Sequence, residues 1–294
     1  MIEYVDRKSG AVLEEKVYGQ RSLSFLYGNS WLSFLLVTFI SKVPLFSKVY
    51  GFLQKMAWSK RKVAPFIEAY GVDTTEFEKT TFDSFNDFFI RKLKAGKRPI
   101  VTDPKKAVLP ADGRYLVFPD LSKVGHFYVK GQKFDLPTFF QSGAYGRRFA
   151  DGAMMIVRLC PTDYHRFHFI CDGVPQKAKA IKGDYYSVNP IALRKNLAIL
   201  WENKRVITDF DTREFGKVLY VEVGATCVGT IHQTYPIGEN VKKGDEKGYF
   251  SFGGSCIVIL FEKGKITFDE DLIKNSEKGL ETKANFGQTL GSAT

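Results

Sequence analysis

The sequence is poor in cysteine and histidine, has no long apolar run, and lacks acid over one long stretch near its start. Its four cysteines, Cys160, Cys171, Cys227 and Cys256, include no CxxC pair. That excludes a zinc ribbon and a thioredoxin-type redox pair. Four cysteines in 294 residues do not staple a scaffold, so reduced thiols in a cytosolic compartment are expected. No stretch reaches the ~18 apolar residues of a membrane span. The longest, Trp31 to Ile40, is followed by Ser41, Lys42 and Pro44. The opening residues carry Glu3, Asp6, Glu14 and Glu15, with no apolar block behind a basic start, so no secretory signal is expected.

From Lys16 to Ile67 there is no aspartate or glutamate, while Lys16, Arg21, Lys42, Lys48, Lys55, Lys60, Arg61 and Lys62 are mixed with Leu, Phe, Trp and Tyr. Phe34, Leu35, Val37, Thr38 and Phe39 predict a nearly all-apolar helix broken near Pro44. Phe46, Val49, Tyr50, Leu53 and Met56 then recur at three- and four-residue spacing, with Lys48 and Lys55 off that stripe. One-signed charge beside apolar bulk reads as basic amphipathic helices in a lipid interface. The alternative is ordinary helices packed on a core. The whole chain has 43 basic against 32 acidic residues, a net charge of +11, which favours an anionic partner, either a membrane surface or nucleic acid. No RNP-type sequence, zinc finger or helix-turn-helix signature accompanies that charge, so nucleic acid is not expected.

Ser84 to Leu93 predicts a short helix with Phe85, Phe88, Phe89 and Leu93 on one face, packed on the body of the protein, and Ser84 with Asp87 has capping-box spacing. After Val108 short β-branched and aromatic runs alternate with Gly, Asp and Pro turns. Strands are expected at Arg114–Phe118, Met154–Arg158, His165–Ile170, Arg205–Phe210, Lys217–Val223, Cys227–Gln233 and Ser255–Phe261, with one helix at Ile191–Trp201. The glycine-punctuated stretch from Ile231 to Phe252 reads as hairpins of barrel-sandwich texture without a carrier-lysine turn. The expected fold class is α+β: a helical, membrane-associating region over 1–100, then a β-rich catalytic body over 101–294.

Three sites could carry chemistry. Two of the four histidines, His165 and His168, flank Arg166 in Asp163-Tyr164-His165-Arg166-Phe167-His168; the others are His126 and His232. As zinc ligands the pair would need further donors, such as Cys160 or Cys171, and no metal is expected. Asp112 sits in the turn Pro110-Ala111-Asp112-Gly113, where it is either a held carboxylate or only a turn residue. Phe252-Gly253-Gly254-Ser255-Cys256 puts two glycines before a hydroxyl. It does not match the GxSxG elbow, because Ile257 stands where glycine is required.

Taken in order, these blocks resemble the phosphatidylserine decarboxylases, pyruvoyl-dependent enzymes that make phosphatidylethanolamine. The resemblance runs through Ser84–Leu93, Arg98-Pro99-Ile100, Pro110–Gly113, Val129-Lys130-Gly131, Asp163–His168, Asn203-Lys204-Arg205, Val223–Thr226, Val228–Ile231, Lys243-Gly244, Gly253-Gly254-Ser255, Gly279–Thr282 and Gly287-Gln288. Two positions depart from the common pattern. Gly253 stands where Leu is usual, as in one bacterial branch, and Cys256 stands where Thr or Ser is usual.

The resemblance implies that Asp112 orients His168, that His168 deprotonates Ser255, and that Ser255 Oγ attacks the carbonyl of Gly254. The chain would then part between Gly254 and Ser255 into a β subunit (1–254) and a 40-residue α subunit (255–294) that remain associated. Residue 255 would become the pyruvoyl cofactor, which forms a Schiff base with phosphatidylserine and acts as the electron sink for decarboxylation. His165 would return a proton or hold the substrate carboxylate. The expected location is the cytoplasmic face of the cell membrane, peripherally bound to an anionic surface; a homo-oligomer is compatible with all of this. The rival reading is a serine hydrolase or lipase that uses Asp112, His168 and Ser255 without cutting itself.

Overall fold

The computed structural model describes residues 2–28, 30–124, 143–193, 196, 198–225, 230–253 and 255–294, without the side chains of Arg21, Pro44, Phe46 and Val124. His126, the Val129-Lys130-Gly131 block, the Thr226–Gly229 segment with Cys227, and Gly254 therefore lie outside the described residues.

The helical region expected at the front opens instead with two strands. β1 (Glu3–Asp6) and β2 (Val12–Glu14) pair with each other, and β1 runs parallel to β15 (Glu281–Ala284) near the other end of the chain. Tertiary pairing with a distant strand overrides the charge-based reading here. The helices follow as expected: α1 (Gln20–Leu26), α2 (Trp31–Lys42), α3 (Pro44–Lys55) and α4 (Val63–Tyr70). Ser30 caps α2 by accepting from Leu32 N–H, and Pro44 occupies the first turn of α3, where its missing N–H costs nothing. The short α5 (Phe85–Phe89) is capped by Ser84, whose side chain accepts from Asp87 N–H.

Mixed helix and sheet is the α+β arrangement that the sequence predicts. Most of the remaining chain builds one ten-stranded sheet in the order β2-β1-β15-β4-β5-β13-β10-β9-β7, with β8 also on β9. Its later members are β4 (Gly113–Phe118), β5 (Ala153–Leu159), β7 (Gly173–Pro175), β8 (Lys179–Ile181), β9 (Arg205–Thr212), β10 (Lys217–Gly224) and β13 (Ser255–Phe261). A second sheet of three strands orders β11 (Ile231–Gln233), β12 (Glu246–Phe250) and β6 (Arg166–His168). The helix expected over Ile191–Trp201 is two short ones, Pro190–Leu193 and Ile199–Glu202.

β13 is the central strand and is buried along its whole length. Ile257, Ile259 and Phe261 join one apolar cluster with Phe167 and Phe250 of the small sheet, while Cys256, Val258 and Leu260 join a second on the opposite face. Burial on both faces explains an unbroken apolar run where a half-exposed strand would alternate. By the same alternation Ser255 falls on the face that the small sheet covers.

Two buried charge clusters tie the layers. Arg158 Nη2 lies 2.6 Å from both Glu15 and Glu281, which fastens the front of the chain to the back. Lys247 is fully buried and donates to Glu222 at 2.8 Å, Thr208 at 3.0 Å and Gln233 at 2.8 Å. Burial lowers the Lys247 ammonium against the pull of Glu222. Removing one partner of such a pair leaves an uncompensated charge and costs about 3–5 kcal/mol. Lys247→Met should therefore lower the melting temperature by roughly 10 °C, and adding Glu222→Gln should recover much of the loss, as read by differential scanning calorimetry.

Candidate active site

Ser255 is the first residue of β13, held by register opposite Gly224 of β10 and Leu159 of β5. Its hydroxyl is fully buried and has no hydrogen-bond partner among the described residues. Gly253, two residues earlier, has φ 140°, a backbone conformation that a side chain would oppose. The segment before the strand is anchored from several directions. Ser251 N–H donates to Thr230 O at 3.2 Å, His232 Nε2 lies 3.0 Å from Ser251 Oγ, and Phe252 N–H donates to Asn86 Oδ1 at 2.9 Å.

His165 and His168 are buried on and beside β6, each tied to a backbone carbonyl through Nδ1. His165 Nδ1 is 2.9 Å from Asp163 O, and His168 Nδ1 is 2.9 Å from Gly244 O. A carbonyl only accepts, so each Nδ1 carries the proton and each Nε2 carries a lone pair. Neither Nε2 has a partner. Burial pushes His165 down from its usual value near 6.5 to about 3 and His168 to about 4, so both are neutral bases at pH 7. The Arg91 charge adds to the shift of His165.

The two imidazoles pack on different partners. The ring of His165 lies 3.7 Å from that of Phe89, and His168 stacks on Phe286 at 3.7 Å and 10°. Among the described residues no group of three or more His, Cys, Asp or Glu gathers as a metal site.

Asp112 lies at the entry to β4. Gly113 follows because a Cβ there would stand 2.6 Å from Val157 Cγ2 and 2.9 Å from Arg158 O. The Asp112 carboxylate is taken by Arg98, with Nε–Oδ1 at 3.0 Å and Nη2–Oδ2 at 2.6 Å, and it accepts Phe286 N–H at 2.9 Å. Burial raises this carboxyl above its ordinary value, with Arg98 pulling the other way. No hydrogen bond joins Asp112 to His168 among the described residues, so the expected direct pairing is absent from this structure. The physical reason is competition: a bidentate guanidinium is a stronger partner for a buried carboxylate than an imidazole, and Gly244 O already holds the imidazole N–H. The two residues meet instead through Phe286, whose N–H binds Asp112 and whose ring covers His168. Among the described residues no hydrogen bond joins Ser255 to either imidazole; its register neighbours are strand residues.

Sequence reasoning singles out Ser255, His165, His168 and Asp112 but assigns no role to Arg98, Gly244, Phe286 or Asn86. Arg98, Gly244 and Asn86 lie inside the blocks that carry the family resemblance, which is the signal that could have found them. Phe286 lies just ahead of Gly287-Gln288 and has no such signal.

The histidines give a pH test. A histidine held neutral binds its proton less well when folded than when unfolded, so stability is lost as pH falls from about 6.5 towards 4. His168→Gln removes that proton uptake. The stability difference between the two proteins should therefore shift in favour of the variant as pH falls across this window, as read by thermal melts.

Known proteins supply the comparison. The phosphatidylserine decarboxylase family profile matches residues 85–292. A protein of Chlamydia pneumoniae named phosphatidylserine decarboxylase proenzyme is 44% identical over 291 residues, covering 98% of this chain and 96% of its own. Proteins of the same name from Clostridium kluyveri (44% over 295 residues, 99% of each chain) and Fusobacterium nucleatum (42% over 293 residues, 99% of this chain and 97% of its own) are similar throughout.

Proposed function

The chain belongs to the phosphatidylserine decarboxylase family, a family of carboxy-lyases, and on that premise we propose that it makes its own pyruvoyl cofactor at Ser255 and uses it on phosphatidylserine at a membrane surface. The proenzyme name of its relatives fits a chain that matures by cleavage. The observation that carries the reading is the Ser255 hydroxyl, buried without a partner two residues after a glycine at φ 140°. A hydrolase nucleophile must be reached by its substrate. A fully buried serine is better placed for the carbonyl of its own neighbour, which favours self-cleavage over the hydrolase reading.

In the proposed maturation Ser255 Oγ adds to the Gly254 carbonyl carbon and its proton passes to His168 Nε2. The C–N bond breaks, the nitrogen takes a proton, and an ester joins the two parts. Loss of the Ser255 Cα proton with rupture of Cβ–Oγ frees residues 1–254 as a carboxylate. Water then displaces the nitrogen as ammonia, leaving the ketone on residue 255. The residues present fit this group, since the serine oxygen and both imidazole Nε2 atoms are buried and uncommitted. The ketone, conjugated with its amide, supplies an electron sink for carbon dioxide loss. His165 Nε2, buried and uncommitted, would carry the proton that returns to the former α-carbon; its basicity, lowered by burial, opposes taking that proton up and favours giving it away. Asp112 acts on His168 through Phe286 rather than by direct contact.

The helices α2 and α3 support the membrane part, because they are inside out. Ser33, Ser41, Ser47 and Gln54 are buried, while Trp31 (74% exposed), Phe34 (67%), Leu45 (67%) and Phe39 (64%) face outward with Lys42, Lys48 and Lys55. Arg61 and Lys62 lie 5.1 Å from the exposed Trp58 ring. Among the described residues no single helix is long and apolar enough to cross a membrane. An interfacial seat on an anionic leaflet, peripheral and on the cytoplasmic side, suits such a surface. Each basic residue there is worth about 1 kcal/mol.

Intact mass of purified protein should show a 40-residue fragment (255–294) lighter than a serine terminus by one ammonia. Ser255→Ala should leave one unbroken chain, and His168→Ala should stall the cut. A single band in active wild-type protein would sink this reading. For the membrane part, vesicles containing phosphatidylserine should pellet the protein while neutral vesicles do not. Raised salt should weaken that binding, and so should Trp31→Ser with Phe34→Ser.

A further inference from the structure

The Ser84–Leu93 motif stands out in the sequence, yet the chemistry above leaves it unused. In the structure it touches both halves of the site. Phe85, Phe88 and Phe89 share an apolar cluster with Phe252. The Phe89 ring lies 3.7 Å from His165 and 5.1 Å from Phe252. Just past the helix, Arg91 Nη2 donates to Thr162 O at 2.7 Å and Asp163 O at 3.0 Å, and that second carbonyl is the one that fixes His165.

The most direct contact is that of Asn86. β12 ends at Phe250 and β13 begins at Ser255, so no ladder partner reaches Phe252 N–H. The Asn86 side-chain oxygen supplies one at 2.9 Å in a buried setting. The next residue is Gly253 at φ 140°. A pinned amide therefore stands beside a bend that only glycine adopts readily, two residues ahead of the scissile carbonyl.

We propose that Asn86 is a positioning residue for self-cleavage, its side-chain oxygen pinning the Phe252 N–H so that the Gly254 carbonyl is presented to Ser255 Oγ. This rests on the self-cleavage reading above. The bond makes no contact with the reacting atoms; it limits where the segment leading to them can go. Misplacing a reacting group by about 1 Å is enough to slow a step by on the order of a hundredfold. Neither Ser255 nor the site histidines His165 and His168 supply this restraint, since the Ser255 hydroxyl and both of those Nε2 atoms are uncommitted.

The test follows cleavage in full-length chain made by cell-free synthesis, quenched in detergent at intervals and read as growth of the 40-residue fragment. Asn86→Leu keeps the volume and removes the acceptor; it should slow the cut about tenfold or more. Asn86→Asp keeps an oxygen in the same place and should stay within about threefold of wild type. Cleavage of Asn86→Leu at the wild-type rate, or equal slowing by Leu and Asp, overturns the role of Asn86 while the self-cleavage reading stands. An uncut wild-type chain sinks both. If Asn86→Leu fails to fold, amide exchange in the Ser255→Ala chain decides. Phe252 N–H should then exchange at least about a hundredfold more slowly than in an unfolded chain, and exchange at the unfolded rate overturns the proposal.

Discussion

A serine hydroxyl buried without a partner at the head of the central strand is the constraint on which the rest depends. An unsatisfied buried hydroxyl costs about 1–3 kcal/mol, so the surroundings must hold it in place against relaxation. They do so through strand register. Ser255 is locked opposite Gly224 and Leu159, and the residues after it are buried on both faces of the sheet. The unusual conformation is confined to the residues before it, where Gly253 takes φ 140° and Asn86 holds Phe252. A strand on one side and an anchored bend on the other flank a hydroxyl that has no hydrogen-bond partner among the described residues.

The same logic governs the histidines. A carboxylate on Nδ1 would raise an imidazole's affinity for a proton, whereas a carbonyl fixes the tautomer without adding a full charge. His165 and His168 both have carbonyls there, and burial pulls both well below their usual value. Each therefore waits as a neutral base with its lone pair uncommitted. The carboxylate that could have raised His168 is held by Arg98 and meets the imidazole through Phe286. Arg98 also binds Glu76 at 2.9 Å, so the guanidinium is itself fixed from two sides.

Much of this is legible in the sequence, for identifiable reasons. The apolar run Ile257–Phe261 after a Gly-Gly-Ser turn reads as a buried strand, and the structure buries it on both faces. The break between α2 and α3 follows from Pro44, and the α5 cap follows from Ser84. The opening strands are not legible, because β1 is stabilised by β15, some 275 residues away, and no local pattern reports such a partner. The pairing of Asp112 is hidden for a similar reason. A motif says that a carboxylate and an imidazole are present. Which of Arg98, Phe286 and His168 reaches that carboxylate depends on distances set by three separate strands and loops. Over Ile191–Trp201 the pattern suggests one helix where the described residues form two short ones.

The N-terminal helices are continuous with the site rather than appended to it. Tyr50 of α3 lies 6.0 Å from the Phe252 ring, and Ser59 Oγ accepts the N–H of Phe85 at 2.9 Å. Ser59 in turn donates to the carbonyls of Gln54 and Met56, which closes the end of α3 onto α5. The turn that follows α3 is thus fastened, by the buried Ser59 hydroxyl, to the helix that holds the segment before Ser255. Polar residues inside are what this junction needs, since backbone groups at the end of α3 and the start of α5 must be satisfied there. Apolar residues are then left for the outer face.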